Sequence, residues 1–293
     1  MRSLLFVPGD SPKKLDKAFA SGTDVLLIDL EDSVAEDAKP QARKTTAEFL
    51  KSHIGESNRP RLFVRVNAFD TGQTDHDLDQ VMHAAPDGIM LPKSVSGADV
   101  AHLDGKIGVQ EAINGIGDGK TGILVVATET AASVFNLGSY RGSSPRLQGM
   151  TWGGEDLSAD IGALSNRDEN GAYTDVYRLA RSLCLLGAVA AGVQPIDSVF
   201  TNFRDEAGLR REAEAALRDG FTAKMAIHPA QVPVINDVFT PGDADIEKAR
   251  RIVKAFADAG NAGVVGLDGE MLDMPHLKRA EKLLARARAA GKA

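Results

Sequence analysis

Eight short apolar runs, seven of them followed by a stretch with helical patterning, limit what this chain can fold into more than any other feature. The runs cover residues 3–8, 25–31, 62–67, 88–92, 123–128, 148–153, 195–200 and 223–228. Helical patterns fill residues 12–20, 39–53, 74–84, 129–137, 173–191, 206–219 and 231–238. Strands that alternate with helices pair as parallel βαβ units. Most of the runs show little polar alternation, as expected of strands covered on both faces. Eight such units predict an α/β fold of the (β/α)8 TIM-barrel type, with a doubly wound open sheet as the alternative. A helix is expected over residues 243–260, a glycine-rich link over 263–269, and a basic amphipathic helix over 275–290. The predicted organisation is therefore a barrel over 1–240 and a C-terminal helical extension, or lid, over 241–293.

Composition removes several classes of function. A formal net charge of −7 argues against a general nucleic-acid surface. No apolar segment reaches the 18 or more residues of a membrane span, and the short run after Met1-Arg2-Ser3 is too brief for a signal peptide. A cytoplasmic location is expected. The single cysteine, Cys184, lies in an apolar stretch and reads as a small buried hydrophobe, which excludes an intramolecular disulfide. Residues 114–121 imitate a phosphate-binding loop, but position 114 is Asn and a strand follows where a helix is needed. His76 and His83 read as surface residues. His228 and Trp152 sit near strand ends, where either a structural or a site role is open.

In a barrel of this kind chemistry gathers at the C-terminal ends of the strands. Those ends carry Asp10, Asp29, Glu31, Asp32, Arg65, Asn67, Lys93, Glu129, Glu155, Asp156 and His228. A core built for stability alone has no use for such a set. Thr128-Glu129-Thr130 and Gly153-Gly154-Glu155-Asp156 each follow an apolar run. Carboxylates there suit a hard cation such as Mg2+, although first-turn helix acids are the competing explanation. Arg65 lies inside an apolar strand and must be paired. Its partner is either Asp29 or Glu31 in a structural ion pair, or a substrate carboxylate or oxyanion.

Several segments together resemble the citrate lyase β-subunit and malyl-CoA lyase group of the HpcH/HpaI aldolase superfamily. They are Arg2-Ser3-Leu4-Leu5-Phe6-Val7-Pro8-Gly9, Leu27-Ile28-Asp29-Leu30-Glu31-Asp32-Ser33-Val34, Val64-Arg65-Val66-Asn67, Leu91-Pro92-Lys93, Glu129-Thr130-Ala131, Gly153-Gly154-Glu155-Asp156-Leu157 and Ala226-Ile227-His228-Pro229. The resemblance implies a (β/α)8 barrel, a Mg2+ ion held by Glu129 and Asp156, and Claisen-type chemistry on an acyl-CoA thioester and a 2-oxo acid. It makes Arg65 the substrate-binding arginine, with Glu31 as a further catalytic candidate and Asn67 and Glu129 beside the substrate. Lys13, Lys14 and Lys17 follow the first strand and suit the phosphates of CoA, or else form a solvated helix face. The segment from Asp268 to Pro275 resembles the lid of stand-alone CoA-ester lyases, in which an aspartate reaches a neighbouring subunit. Asp273 matches that aspartate, with Asp268 second, so a homotrimer or homohexamer is implied. Glu155 stands where relatives vary, and its role is open.

Overall fold

The computed structural model describes residues 1–260 and 262–292. Its eight parallel strands are β1 Ser3–Pro8, β2 Val25–Asp29, β3 Arg61–Arg65, β4 Gly88–Leu91, β5 Gly122–Val126, β6 Leu147–Thr151, β7 Gln194–Asp197 and β8 Ala223–Ala226. They pair in sequence order, and β8 returns to β1 through Ser3↔Lys224, Leu4↔Met225 and Leu5↔Ala226. The sheet closes into a barrel, so the open doubly wound alternative is set aside. Each strand stops one to three residues before the end of its apolar run, except β1, because the chain there peels away into a loop.

The two-residue period of a strand sorts side chains inside and outside the barrel. Leu4, Val25, Leu27, Phe63, Met90, Leu124, Val126, Ile196, Ala223 and Met225 fill the interior. Leu26 and Ile28 are buried on the opposite face of β2. The same parity carries Asp29 inward after Val25 and Leu27, and Arg65 inward after Phe63. Glycine is required at position 88, where an added Cβ would stand 2.0 Å from the Phe63 ring.

Around the barrel run α1 Pro12–Phe19, α2 Lys39–Ser52, α3 Thr74–Val81, α4 Gly97–Asn114, α5 Ala131–Val134, α6 Gly154–Asp160, α7 Asp175–Ala191, α8 Glu206–Asp219 and α9 Val232–Phe239. Three of these depart from the sequence expectation, α6 over residues 154–160 being an unexpected short helix. Helix α4 has 18 residues and was hidden by Gly105 and Gly108, though Val100, Leu103 and Ile107 carry the buried stripe. The expected helix over 129–137 shrinks to the four residues of α5, since Thr130 caps it and Glu129 stays outside. Cys184 is buried and its thiol is pushed up by that burial, in line with a small hydrophobe. His76 and His83 are exposed. Among the described residues no helix is long and apolar enough to cross a membrane.

Buried charge is matched locally. Lys224 is fully buried, and its Nζ donates to Asp197 at 2.7 Å, to Glu212 at 2.9 Å and to the Ser198 carbonyl at 2.8 Å. Trp152 Nε1 and Arg181 Nε also donate to Asp197, at 2.9 and 3.0 Å. Burial alone would raise the Asp197 carboxyl, but Lys224 and Arg181 hold it below the usual range.

The chain divides into two compact units, Met1–Ile235 and Asn236–Ala293. The second contains α10 Asp243–Asp258, β9 Val264–Leu267, β10 Glu270–Asp273 and α11 Met274–Ala289. Its core joins Ile246, Ala249, Ile252 and Phe256 of α10 to Ala280, Leu284 and Ala287 of α11, with Val265 and Leu272 from the strands. The expected glycine-rich link is an antiparallel hairpin. Asp268 and Gly269 form its turn with φ of 53° and 80°, as a two-residue turn with two left-handed positions requires.

Candidate active site

Parallel register places Asp29 directly beside Arg65 at the C-terminal ends of β2 and β3. Arg65 Nε and Nη2 donate to the two oxygens of Asp29 at 2.7 and 2.8 Å. Its Nη1 lies 2.7 Å from Glu31 Oε2, and the guanidinium rests 4.8 Å from the centre of the Phe6 ring. Burial opposes the charge on Arg65, but Asp29 and then Glu31 outweigh it and keep the guanidinium protonated. Asp29 also accepts from the backbone N–H groups of Glu31 and Ser33 at 2.9 and 3.1 Å. The Asp29 carboxylate thus shapes the loop that presents Glu31 and Asp32. Of the two partnerships open for Arg65, the structural one is present, with Asp29 and Glu31 both engaged, and the residue also lines the cleft at the mouth.

After β4 the chain turns sharply at Lys93, whose φ is 50°. Its backbone N–H donates to Glu129 Oε2 at 2.5 Å. Its Nζ lies 2.6 Å from Glu31, 3.3 Å from Asp32 and 3.7 Å from Asp156. Glu129 is only 3% exposed. A Cβ added to Gly153 would stand 2.6 Å from Glu129 Cγ, so the glycine is the space this side chain occupies. Burial first, and Asp156 second, push the Glu129 carboxyl well above the ordinary carboxylate range. Glu31 is raised as well, because burial outweighs the attraction of Arg65 and Lys93.

Glu129 is neither a helix cap nor a first-turn acid, whereas Asp156 is a first-turn acid, as the competing explanation expected. Glu129 precedes the cap residue Thr130 and bonds to Lys93 across the barrel mouth. Asp156 lies in the first turn of α6, about one-third exposed, and leans toward Lys93. Among the described residues no group of three or more His, Cys, Asp or Glu side chains is placed to hold a metal unaided. That donor set fits a hard cation bound by one or two carboxylates that keeps its other positions for water and substrate. Glu31 is buried with Oε1 on the Lys93 ammonium and Oε2 on Arg65 Nη1, so both of its oxygens face the two cations of this mouth.

A cleft of about 430 Å³ opens here, walled by Phe6, Pro8, Val199 and Ile227, with Asp32 and Arg65 facing it. A larger cleft of about 560 Å³ lies beside α8, between Arg167, Tyr173, Phe200 and Arg211. Two of its arginines are already matched by Glu212, Asp197 and Asp219, and the converging strand-end acids do not line it. Asp29, Asp32 and Arg65 line the smaller cleft, and Lys93 links Asp32 to Glu129 and Asp156, so the smaller cleft is the candidate site.

The remaining expected residues are placed unevenly. Asn67 is buried behind the mouth, where its amide donates to the Leu30 carbonyl at 3.0 Å and Asp77 at 2.8 Å and its oxygen accepts from Lys39. Its polar atoms hold the framework and do not reach the cleft. Lys13 and Lys17 are exposed on α1. Asp273 lies in the second unit, half exposed, as the cap of α11, with Oδ1 2.5 Å from His276 Nδ1. That hydrogen bond holds its carboxyl below the usual range. Asp268 pairs with Arg251. Trp152 is buried and bonded to Asp197, so it braces the barrel. Sequence reading named no role for the Lys93 ammonium, for Asp32 or for His276. The Pro92-Lys93 strand end was a signal for the first of these.

The family model described as HpcH/HpaI aldolase/citrate lyase matches residues 2–229. A (3S)-malyl-CoA thioesterase of Cereibacter sphaeroides is 35% identical over 292 residues, covering 98% of this chain and 95% of its own. An L-malyl-CoA/beta-methylmalyl-CoA lyase of Rhodobacter capsulatus is 34% identical over 303 residues, covering 98% and 94%. Among solved structures, CitE of Mycobacterium tuberculosis in complex with magnesium, acetoacetate and coenzyme A superimposes with a TM-score of 0.76. It is 34% identical, with 98% of each chain covered. The barrel, the acidic mouth and these matches agree: the chain belongs to the HpcH/HpaI aldolase/citrate lyase family.

Proposed function

We propose that the protein is a Mg2+-dependent CoA-ester lyase. It cleaves, or forms in reverse, a 3-hydroxyacyl-CoA such as malyl-CoA or citramalyl-CoA, giving an acyl-CoA and a 2-oxo acid. The observation that carries this reading is the juxtaposition of Glu129 and Asp156 with Arg65 at one barrel mouth, bridged by Lys93. Glu129 and Asp156 would hold the cation, which supplies Lewis-acid polarisation of the hydroxyl and carbonyl oxygens and a template for the adjacent carboxylate.

The chain's own residues account for the rest. Glu31, buried and raised, takes the hydroxyl proton as the C–C bond breaks, and returns it in the condensation direction. The bond electrons move into the thioester as an enolate, and the Nη1 edge of Arg65 stabilises the charge on its oxygen. Asp273 protonates the enolate carbon. It is exposed on its own unit, which suits delivery to the site of a neighbouring subunit in a homotrimer or homohexamer. Lys13 and Lys17, exposed on α1, offer positive charge to the CoA phosphates.

A thioesterase is the second reading, favoured by the near-equal similarity of the C. sphaeroides thioesterase. A citryl thioester lyase of the citrate lyase β-subunit kind is the third. Purified chain with Mg2+ and a panel of malyl-, methylmalyl-, citramalyl- and citryl-CoA separates them. The lyase reading expects acyl-CoA plus a 2-oxo acid, abolished by EDTA. Free CoA plus the hydroxy acid would establish hydrolysis instead, and turnover unaffected by EDTA would defeat the metal site. For the shared lid, mixed oligomers of Asp273→Ala and Arg65→Ala chains should regain partial activity. Mixed oligomers that form but stay inactive would refute it.

A further inference from the structure

The mouth carries five carboxylates, Asp29, Glu31, Asp32, Glu129 and Asp156, against two cations, Arg65 and Lys93. Arg65 is committed to Asp29 through Nε and Nη2, and its Nη1 also pairs with Glu31 at 2.7 Å. Of the two cations, Lys93 is the one that touches all four of the other acids. Its backbone N–H holds Glu129, and its ammonium spans Glu31, Asp32 and Asp156 at 2.6, 3.3 and 3.7 Å. The backbone conformation that makes this possible is left-handed, with φ of 50°. A side chain with a Cβ adopts that conformation only at a cost, and at functional sites such strain persists when surrounding contacts over-determine it.

The distances rank the ammonium's attachments. Glu31 and Asp32 are held tightly, and Asp156 is touched at the limit of an ion pair. A cation arriving between Glu129 and Asp156 therefore competes little with Lys93, whereas Glu31 and Asp32 stay tied to it. Without the ammonium, Asp32 would be free to join Glu129 and Asp156 on the cation, and Glu31 would be held by Arg65 alone. A site with that many anionic ligands binds more tightly and keeps fewer waters, whereas Mg2+ in a catalytic site is held by one or two carboxylates and leaves positions for substrate.

We propose that Lys93 is a positioning residue: its ammonium withholds Glu31 and Asp32 from the cation, so that only Glu129 and Asp156 hold it and coordination positions stay open for substrate. This rests on the lyase reading of the same mouth, and leaves Glu31 available as the proton acceptor assigned there.

The test is Mn2+ binding without substrate, measured by calorimetry together with water-proton relaxation, which counts the waters on the bound ion. Wild type should bind Mn2+, and Glu129→Gln should lose it. Lys93→Met should bind about tenfold more tightly, equivalent to ~1.4 kcal/mol, with fewer bound waters. Its kcat at saturating metal should fall while its melting temperature in EDTA stays near that of wild type. Lys93→Arg, which keeps the charge, should restore the wild-type water count. Simple loss of a nearby positive charge would tighten binding without changing the waters, and that result overturns the proposal. So does a wild-type or weaker affinity in Lys93→Met, or in Lys93→Gln should the methionine variant fail to fold. If wild type binds no Mn2+ at all, the metal-site reading falls and this inference with it.

Discussion

Gly153→Ala isolates the position of Glu129 from everything else at the mouth. Gly153 has φ of −116° and ψ of 115°, so alanine meets no backbone penalty there. The new methyl would stand 2.6 Å from Glu129 Cγ and 3.3 Å from both Cδ and Oε1. Non-bonded carbons settle at roughly 3.5–4.0 Å, so the Glu129 side chain must retreat by about 1 Å. It cannot retreat freely, because Oε2 is bonded to the Lys93 N–H and the side chain is 3% exposed. Overpacking of this kind costs about 1–3 kcal/mol of stability. A displacement of about 1 Å in a catalytic group costs on the order of 100-fold in rate. We expect a folded variant with a melting temperature lowered by a few degrees, Mn2+ affinity reduced, and kcat down about 100-fold. Calorimetric titration, thermal melts and steady-state kinetics measure these. A variant with wild-type Mn2+ affinity and kcat would show that Glu129 need not sit where the structure puts it.

Three further outcomes are expected. Arg65→Lys should lower kcat by about 100-fold or more, because an ammonium cannot keep two bonds to Asp29 and also present an edge to the thioester oxygen; a near-normal kcat would leave Arg65 as a purely structural partner. Glu129 has a folded value above the ordinary glutamate value of 4.5; an acid raised on folding loses stability as it ionises, so metal-free protein should weaken as pH rises from about 4.5 through the folded value. Glu129→Gln should flatten that decline and be the more stable form at pH 8 in EDTA by about 1–3 kcal/mol, and parallel melting curves for the two proteins across that window would contradict the assignment. Lys224→Met should cost about 3–5 kcal/mol by leaving Asp197 buried with its main counter-charge gone; urea unfolding reads this, and a change below 1 kcal/mol would mean that Arg181 and Trp152 suffice.

The barrel was legible because its cause is local and repeated. Eight apolar runs separated by helical stretches bury both strand faces in a parallel sheet covered by helices, and the β8–β1 pairing decides for closure over a doubly wound sheet. Strand-end positions follow from the same pattern, which is why Arg65, Glu129 and Asp156 could be named from order alone. The helix over residues 97–114 was harder to see, since two glycines interrupt a buried stripe that is otherwise regular. The hairpin of the second unit carried its own sign in Asp268-Gly269, yet glycine content alone suggested a flexible link.

What tertiary structure decided was which polar groups meet. Residues 29 and 65 lie 36 apart in sequence, and only the parallel register sets them side by side. Asn67 stands two residues beyond Arg65, but the strand has ended by then, and its amide turns to Asp77 and Leu30 behind the mouth. Lys93 reads in sequence as one more charged loop residue. Its reach to Glu129 by the main chain and to Glu31, Asp32 and Asp156 by the side chain depends on a left-handed turn that no propensity of lysine predicts. Periodicity determines which face a residue is on, because that is a property of neighbouring residues along one chain. Pairing across the mouth depends on where four separate strands end in space, and that exists only once the barrel has closed.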